Sequence, residues 1–228
     1  MHVIRKAVKN LHLSVLPPSG RVRVTAPLLM NKEAVRMAVI TRLGWIKHQQ
    51  TKFANQERET ERDYVTGESH YYFGQRYRLN VVNHNSPAHV IVRNKSTIDL
   101  YIPETSDTAR RGRVLREWYR RELKTLLPPL VEKWGSIIGV DVAEWRVRRM
   151  KTKWGSCSIE AHRIWLNLEL AKKPVQCLEY TIVHEMVHLL ERYHTRRFTA
   201  LVDDFMPRWR EAKALLGQYP LAHATWDY

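Results

Sequence analysis

The spacing of apolar residues predicts a hairpin followed by a helix at the start of the chain. Apolar and polar residues alternate over residues 11–16 and 21–25, and Pro17-Pro18-Ser19-Gly20 separates the two stretches. Apolar residues then recur at helical spacing over residues 35–46. Asn31 precedes this pattern, and its side chain suits the N-terminal cap of a helix.

The alternating pattern returns after a charged stretch and predicts four further strands. These segments are residues 71–73, 77–82, 90–92 and 98–102, and they are separated by Gly, Asn and Pro. We therefore expect residues 1–105 to form a twisted β-rich unit with one helix. Residues 103–107 are the candidate boundary to a second domain, which we place at residues 106–228.

The second domain is predicted to hold a long basic helix over residues 108–134, with a bend near Pro128-Pro129. Two strands are expected at residues 144–150 and 163–168, and they flank the turn-rich sequence WGSC. Pro174 suits the first turn of the next helix, which leads into a pair of histidines.

The sequence HEMVH at residues 184–188 joins two histidines four positions apart. Residues four apart on an α-helix share one face, so His184 and His188 present their imidazoles to one point, while Glu185 is offset by about a quarter turn. This geometry is typical of a hydrolytic zinc site, in which a bound water has its pKa lowered toward about 7. Glu185 is then placed to take a proton from the water and return it to the leaving nitrogen.

A catalytic zinc site uses three protein ligands and keeps one position for water, so a third ligand is needed. The candidates downstream are His194, Glu191, Asp203 and Asp204. His194 follows His188 by six residues, which would place it away from the metal face of an unbroken helix. His194 can therefore bind the metal only if the helix ends or turns before it.

The spacing of the three histidines matches that of the metzincin metalloproteases, whose helix is broken by a glycine three residues after the second histidine. Glu191 occupies that position here, which argues against a metzincin assignment. Met206 follows the third histidine, as the methionine of a Met-turn would. We expect Met206 instead to pack a helix against the core, which is the usual role of methionine.

The formal net charge is +15, and its distribution is uneven. Residues 110–153 hold 13 Lys/Arg against five Asp/Glu, a net +8. Such a field attracts polyanions, so this basic region is a candidate surface for nonspecific DNA; the alternative is a solvated helix face. The sequence contains no helix-turn-helix, zinc-finger or RNA-recognition motif, so sequence-specific DNA reading is not expected.

Composition indicates a globular, cytoplasmic protein without a membrane partner. No apolar run is long enough for a membrane span, and the first residues lack the apolar stretch of a secretory signal. The two cysteines, Cys157 and Cys177, are too few for a disulfide framework, and we expect both to be reduced.

Three segments together narrow the match to one family. RMKTKWGSCS at residues 149–158, RIWLN at residues 163–167 and HEMVHLLERYHTRRF at residues 184–198 resemble the YgjP-like family of zincin metallopeptidases. This family is related to the SprT-like and WLM proteases. The resemblance is strong over residues 145–210, and it continues more weakly through GESH and YFG at residues 67–74 into the N-terminal unit.

The resemblance implies an α+β, zincin-like fold in which an active-site helix lies beside a small twisted sheet. It implies zinc bound by His184, His188 and His194, with Glu185 as the general base. Trp154 and Gly155 would then lie on or beside a strand that lines the substrate cleft. The alternative is a structural turn in which the glycine permits close packing and the tryptophan fills core.

Two other residues near these segments have an ordinary structural interpretation. Cys157 is a conceivable metal ligand, but three histidines already complete a catalytic zinc site, so we expect a small buried thiol. His70 could approach the site from the β-rich unit, although an ordinary surface or strand histidine is the preferred interpretation.

The leading hypothesis is a zinc-dependent metallopeptidase, a hydrolase that acts on a protein or peptide substrate. Related proteases act on DNA-crosslinked proteins, so DNA-associated substrates are part of this hypothesis. One alternative is a nucleic-acid or protein-binding module with a structural zinc, although structural sites are usually closed shells of four ligands rich in Cys. Another is a zinc amidase that acts on non-peptide substrates.

Overall fold

The chain forms two compact units, Met1–Arg58 and Glu59–Tyr228. The computed structural model describes residues 2–16, 20–55, 62–150 and 153–218.

The smaller unit contains a three-stranded sheet and two helices. Its elements are β1 (His2–Lys6), β2 (His12–Leu16), β3 (Arg21–Pro27), α1 (Lys32–Ile40) and α2 (Leu43–Asn55). The sheet order is β1-β3-β2. Antiparallel pairing of β2 with β3 confirms the predicted hairpin, whose residues 17–19 lie outside the described residues. β1, which the alternating pattern did not predict, runs parallel to β3.

The region predicted as one helix is divided into α1 and α2. The Asn31 side chain accepts a hydrogen bond from the Ala34 N–H at 2.7 Å, which confirms the predicted cap. α1 ends at Ile40, and the Thr41 hydroxyl donates to the carbonyl of Ala38 at 3.2 Å. Bonds of this kind compete with the regular backbone pattern of a helix, so apolar spacing alone does not reveal the interruption.

The larger unit begins with a four-stranded sheet that confirms the four predicted segments. The strands are β4 (Ser69–Tyr72), β5 (Gln75–Asn83), β6 (His89–Val92) and β7 (Thr97–Ile102), in the order β4-β5-β7-β6. β5 and β7 are parallel, and the other two pairings are antiparallel. Ile98, Leu100 and Ile102 alternate along β7 and are buried.

The long helix α3 (Thr108–Ile138) confirms the predicted basic helix and covers this sheet. Asp107 caps its start by accepting from the Arg110 N–H at 2.7 Å, and Gly139 ends it with a φ of 75°. Pro128 and Pro129 both lie within the helix. Its buried residues are Gly112, Leu115, Trp118, Tyr119, Leu123, Leu127, Trp134 and Ile138.

A second, three-stranded sheet and the last helices complete the larger unit. The sheet contains β8 (Glu144–Arg148), β9 (Gly155–Ser158) and β10 (Arg163–Asn167), in the order β8-β10-β9. A short 3-10 helix (Leu168–Lys172) leads to α4 (Val175–Val187), α5 (Arg196–Phe205) and α6 (Trp209–Gln218). Because α4 packs on β9 and β10, the fold is α+β with the histidine helix beside a small sheet, as predicted.

The two compact units do not coincide with the predicted segments 1–105 and 106–228. The four-stranded sheet shares one hydrophobic core with α3 and α4, so residues 69–102 belong to the larger unit. Contacts between residues far apart in the chain create this core, and the local composition of residues 103–107 carries no information about them. Across the described ranges, no helix is both long enough and apolar enough to cross a membrane.

Candidate metal centre

α4 carries the predicted histidine pair and is held in place by burial. Pro174 is its N-cap; at this end of a helix the first N–H groups have no partner within the helix, so a proline is tolerated. Ile182 and Val183 are completely buried. His184 lies in the last turn, and His188 is the C-cap. Both histidines therefore project from the end of a packed helix.

The chain leaves α4 without the glycine that breaks the metzincin helix. The Leu190 N–H bonds to the carbonyl of Val187 at 3.0 Å, three residues back, which tightens the last turn. Glu191 donates its N–H to the same carbonyl at 2.9 Å. None of residues 188–195, all of which are described, has a positive φ. The helix therefore ends before His194, which is the condition that the sequence set for this residue as a ligand.

His184, His188 and His194 come together at this turn. Their ring centroids are 4.8 to 5.0 Å apart. The Nε2 atoms of His184 and His194 are separated by 3.0 Å, and one nitrogen from each ring lies within 4.8 Å of the others. Within the described residues, this is the cluster of His, Cys, Asp or Glu side chains that could hold a metal ion.

Burial favours the neutral form of the His184 and His188 imidazoles. Burial, followed by the proximity of His188, His194 and Lys213, lowers the pKa of His184 to about 3. Burial also lowers the pKa of His188, although a hydrogen bond to the backbone of Glu191 acts in the opposite direction. Neutral imidazole is the form that binds a metal.

A backbone carbonyl orients the His188 ring. Nδ1 of His188 lies 3.2 Å from the carbonyl oxygen of Glu191. Because a carbonyl can only accept, Nδ1 carries the proton in this contact and Nε2 keeps its lone pair. Such partners of a ligating histidine fix both its tautomer and its orientation.

The three acidic candidates for the third ligand lie outside the cluster. The Glu191 carboxylate accepts from the Tyr193 N–H at 3.3 Å. Asp203 accepts from the Trp209 indole at 2.7 Å and pairs with Arg210, which lowers its pKa. Asp204 is exposed on α5.

Glu185 is buried against strand β9. Only 6% of its surface is exposed, and burial raises its pKa to about 8, although Lys153 acts to lower it. A Cβ atom added to Gly155 would lie 2.6 Å from Glu185 Oε1 and 2.7 Å from its Cγ. Since non-bonded carbon atoms prefer about 3.5–4.0 Å, the Glu185 side chain occupies space that any larger residue at position 155 would take.

Gly155, Ser156 and Cys157 of the WGSC segment lie on strand β9 and Trp154 directly precedes it, so the segment lies on or beside a strand, as the resemblance implied, and not in a structural turn. Gly155 pairs with Leu166, and β9 lies at one edge of its sheet. Trp154 is partly buried against the main core, with the Lys173 ammonium 5.7 Å from its ring centre. Cys157 is a half-buried free thiol, and burial followed by the nearby charge of Glu185 raises its pKa to about 11.

His70 is buried and pairs with the half-buried Glu68, apart from the histidine cluster. It lies on β4, and its Nε2 is 3.0 Å from Glu68 Oε1. The ring of Tyr64 stacks on it with centroids 5.9 Å apart. His70 does not belong to the histidine cluster.

Sequence patterns did not identify two residues that support the centre. Asn167 is buried and donates to the carbonyls of Met150 and Lys153 at 3.0 and 2.8 Å, so it holds the chain that leads into β9. Phe198 lies against all three imidazoles. Asn167 is the last residue of RIWLN, and Phe198 is the last residue of HTRRF. Their places in these family-like segments were the sequence signal that could have identified them.

Three comparisons relate the chain to known proteins. The crystal structure of the metallopeptidase zymogen of Pyrococcus abyssi abylysin is similar, with 24% sequence identity and a TM-score of 0.36, over 39% of this chain and 89% of that chain. No curated protein matches the sequence. The model of the YgjP-like metallopeptidase domain matches residues 9–219 of the 228, so the match extends through both compact units. The chain therefore belongs to the YgjP-like family of metallopeptidases, which are hydrolases.

Proposed function

We propose that the protein is a zinc-dependent peptidase that hydrolyses peptide bonds, with His184, His188 and His194 as the metal ligands. The convergence of three imidazoles at the end of a buried helix is the observation that carries this proposal. A set of imidazoles suits zinc among the commonly available metals. Three protein ligands are typical of a catalytic site, whereas a structural zinc usually has four.

The three donor nitrogens lie within 4.8 Å of one another, and one pair has nearly the separation that a zinc ion requires. Two nitrogens at zinc distances of about 2.0–2.1 Å in a tetrahedral site are about 3.3 Å apart. The Nε2 atoms of His184 and His194 are 3.0 Å apart, and Nε2 of His188 is available because Nδ1 faces a carbonyl. When bound, zinc would supply Lewis-acid activation of a water molecule and of the scissile carbonyl.

Glu185 is the proposed general base. Its carboxylate takes a proton from the attacking water and passes it to the leaving nitrogen. The buried surroundings that raise its pKa to about 8 make the carboxylate a stronger base than an exposed one, and Lys153 favours its ionised form. Gly155 provides the space in which this side chain lies.

Strand β9 is the proposed contact for an extended peptide substrate. Because β9 is at the edge of its sheet, its outer backbone groups are available to pair with another strand. A peptide bound there would pass Trp154 and Gly155, next to Glu185. The same features would serve a non-peptide amide less well, because main-chain pairing requires a peptide.

Replacing Glu185 by glutamine tests the proposal. Glu185→Gln should keep about one zinc per chain and lose about 10²- to 10⁴-fold in peptidase activity, the usual contribution of a general base. Glu160→Gln, an exposed position in the turn between β9 and β10, should retain both. Undiminished proteolysis by Glu185→Gln would exclude Glu185 as the base, and hydrolysis of non-peptide amides alone would favour an amidase.

A second candidate function is nonspecific DNA binding through the basic region 110–153. Its support is a cluster on one face of the sheet that β8, β10 and β9 form. There the guanidinium groups of Arg146 and Arg148 lie 5.4 and 4.3 Å from the ring centre of Trp165. Guanidinium groups bind phosphates, and aromatic rings stack on bases. We propose that this face allows the peptidase to act on DNA-associated proteins.

A salt-dependent binding assay with single-stranded and duplex DNA tests this second candidate. Affinity should fall steeply with ionic strength, and Arg148→Ala should reduce the slope by about one phosphate contact. Arg208→Ala serves as the control. Arg208 lies outside the basic region and pairs with Glu211 in the native chain. Binding that does not depend on salt, or equal losses in both variants, would count against this face.

A further inference from the structure

The phenyl ring of Phe198 contacts every imidazole of the histidine cluster. Its centroid lies 5.0 Å from that of His184, 4.7 Å from that of His188 and 4.8 Å from that of His194. It meets His184 and His194 nearly edge to face, at 68° and 79°, and lies at 37° to His188. Tyr180, by comparison, approaches His184 at 5.8 Å.

The start of α5 places this ring. Thr195 is the N-cap of α5, and its hydroxyl accepts a hydrogen bond from the Phe198 N–H at 3.2 Å. His194 immediately precedes the cap. One capped helix start therefore sets the positions of both the third imidazole and the phenyl ring, while α4 supplies the other two imidazoles.

Phe198 is itself held rigidly. Only 5% of its surface is exposed, and it belongs to the core of the larger unit. Met206, the residue that would correspond to a Met-turn, follows α5 and packs against the same core.

We propose that Phe198 is a positioning residue of the metal centre, whose ring holds the three imidazoles so that their free nitrogens converge. This inference rests on the proposed zinc site. An imidazole that rotates freely loses that freedom when it binds a metal, whereas one packed against a fixed ring has already lost it. Groups that orient metal ligands typically change metal affinity by about 10- to 100-fold.

Zinc affinity measured with a competing chromophoric chelator tests the role without using activity. Phe198→Ala should weaken zinc binding about 10- to 100-fold, and Phe198→Leu, which retains apolar volume, about three- to tenfold. Phe205→Ala is the matched control, because Phe205 is on the same helix and packs against the same core. Its zinc affinity should remain within about twofold of the native value.

The visible absorption of the Co²⁺-substituted protein adds a readout of ligand geometry. The Phe198→Ala spectrum should broaden and shift relative to that of the native protein, while Phe205→Ala should not change it. If circular dichroism shows that Phe198→Ala does not fold, the zinc affinity of Phe198→Leu tests the proposal instead.

Two results would overturn the role of Phe198 while leaving the peptidase proposal intact. One is native zinc affinity in the folded Phe198 variants, and the other is an equal loss in Phe205→Ala, which would indicate general packing. Absence of zinc binding by the native protein would instead reject the proposed zinc site itself. The two failures are therefore distinguishable.

Discussion

The two compact units differ in how much apolar side chain they bury. The core cluster of the smaller unit consists of Val24, Ala26 and Val35, and the unit leaves Leu29 99% exposed and Trp45 46% exposed. The larger unit has one continuous core that runs from the four-stranded sheet through α3 to α4. Because the stabilisation of a folded unit grows with the apolar area that it buries, burial stabilises the larger unit much more than the smaller one. The candidate site lies in the unit that can hold side chains in fixed positions.

Truncating a core side chain of the larger unit should change the free energy of unfolding most. Leu123 on α3 is completely buried, so Leu123→Ala should lower the free energy of unfolding by about 3 kcal/mol. Urea unfolding measures this change, and hydrogen exchange locates it. The control is Val35→Ala in the smaller unit, which should leave amide protection in α4 unchanged. Equal loss of α4 protection in both variants would mean that the two units unfold together and would end the comparison.

Gly155→Ala should have the second-largest effect, on turnover, and Gly44→Ala is its control. Gly155→Ala should lower kcat about 100-fold, equivalent to about 2.7 kcal/mol, because the new methyl group displaces the Glu185 carboxylate while the histidines keep their zinc. Gly44→Ala in α2 meets no atom within 4 Å and should stabilise its helix by about 0.5–1 kcal/mol without affecting turnover. Kinetics and zinc content are measured together. Native kcat in Gly155→Ala would show that Glu185 does not need this space.

Acid should destabilise the larger unit through Glu68. Burial alone would raise its pKa, but His70, the Tyr64 N–H and Arg62 together lower it to about 2. A folded pKa below the ordinary value of 4.5 gives stability that is present above pH 4.5 and is lost as the pH falls toward 2.

Glu68→Gln isolates this contribution. The difference in unfolding free energy between the native protein and the variant should shrink by about 2 kcal/mol between pH 6 and pH 3. Urea titrations at the two pH values measure it. A difference that is constant with pH would mean that Glu68 has an ordinary pKa in the folded chain.

A substitution on the surface of the smaller unit should change the free energy of unfolding least. Leu29→Ser should alter the free energy of unfolding by less than about 0.5 kcal/mol, since the side chain is 99% exposed. Thermal unfolding is the measurement, and the Leu123→Ala variant provides the scale. A loss of more than about 1 kcal/mol would indicate that Leu29 is covered in solution.

Part of the fold and of the site could be predicted because it depends on neighbours in the chain. Residues four apart on a helix share a face whatever lies around them, so HEMVH was sufficient to bring His184 and His188 together. The hairpin of the smaller unit and helix α3 follow from local periodicity in the same way. The histidine spacing set a helix end before His194 as the condition for its binding a metal, and the structure has that end at Val187.

Other features could not be predicted because they depend on contacts between distant segments. β1 pairs in parallel with β3, and parallel pairing leaves no local turn signal. The boundary between the units lies near residue 58 because residues 69–102 pack into the core of the second half of the chain. Phe198 resembles any apolar residue in the first turn of a helix until three imidazoles are seen against it.

The amino-acid sequence was sufficient to predict the candidate site: two histidines and a glutamate in HEMVH, and a third histidine at metallopeptidase spacing. It also contains the segments that resemble the YgjP-like family, to which the chain belongs. The residues that support this candidate site are visible only in the folded chain. It brought Gly155 against Glu185 and Phe198 against the imidazoles. A helix fixes which of its own side chains share a face, whereas contacts between segments depend on how the whole core packs.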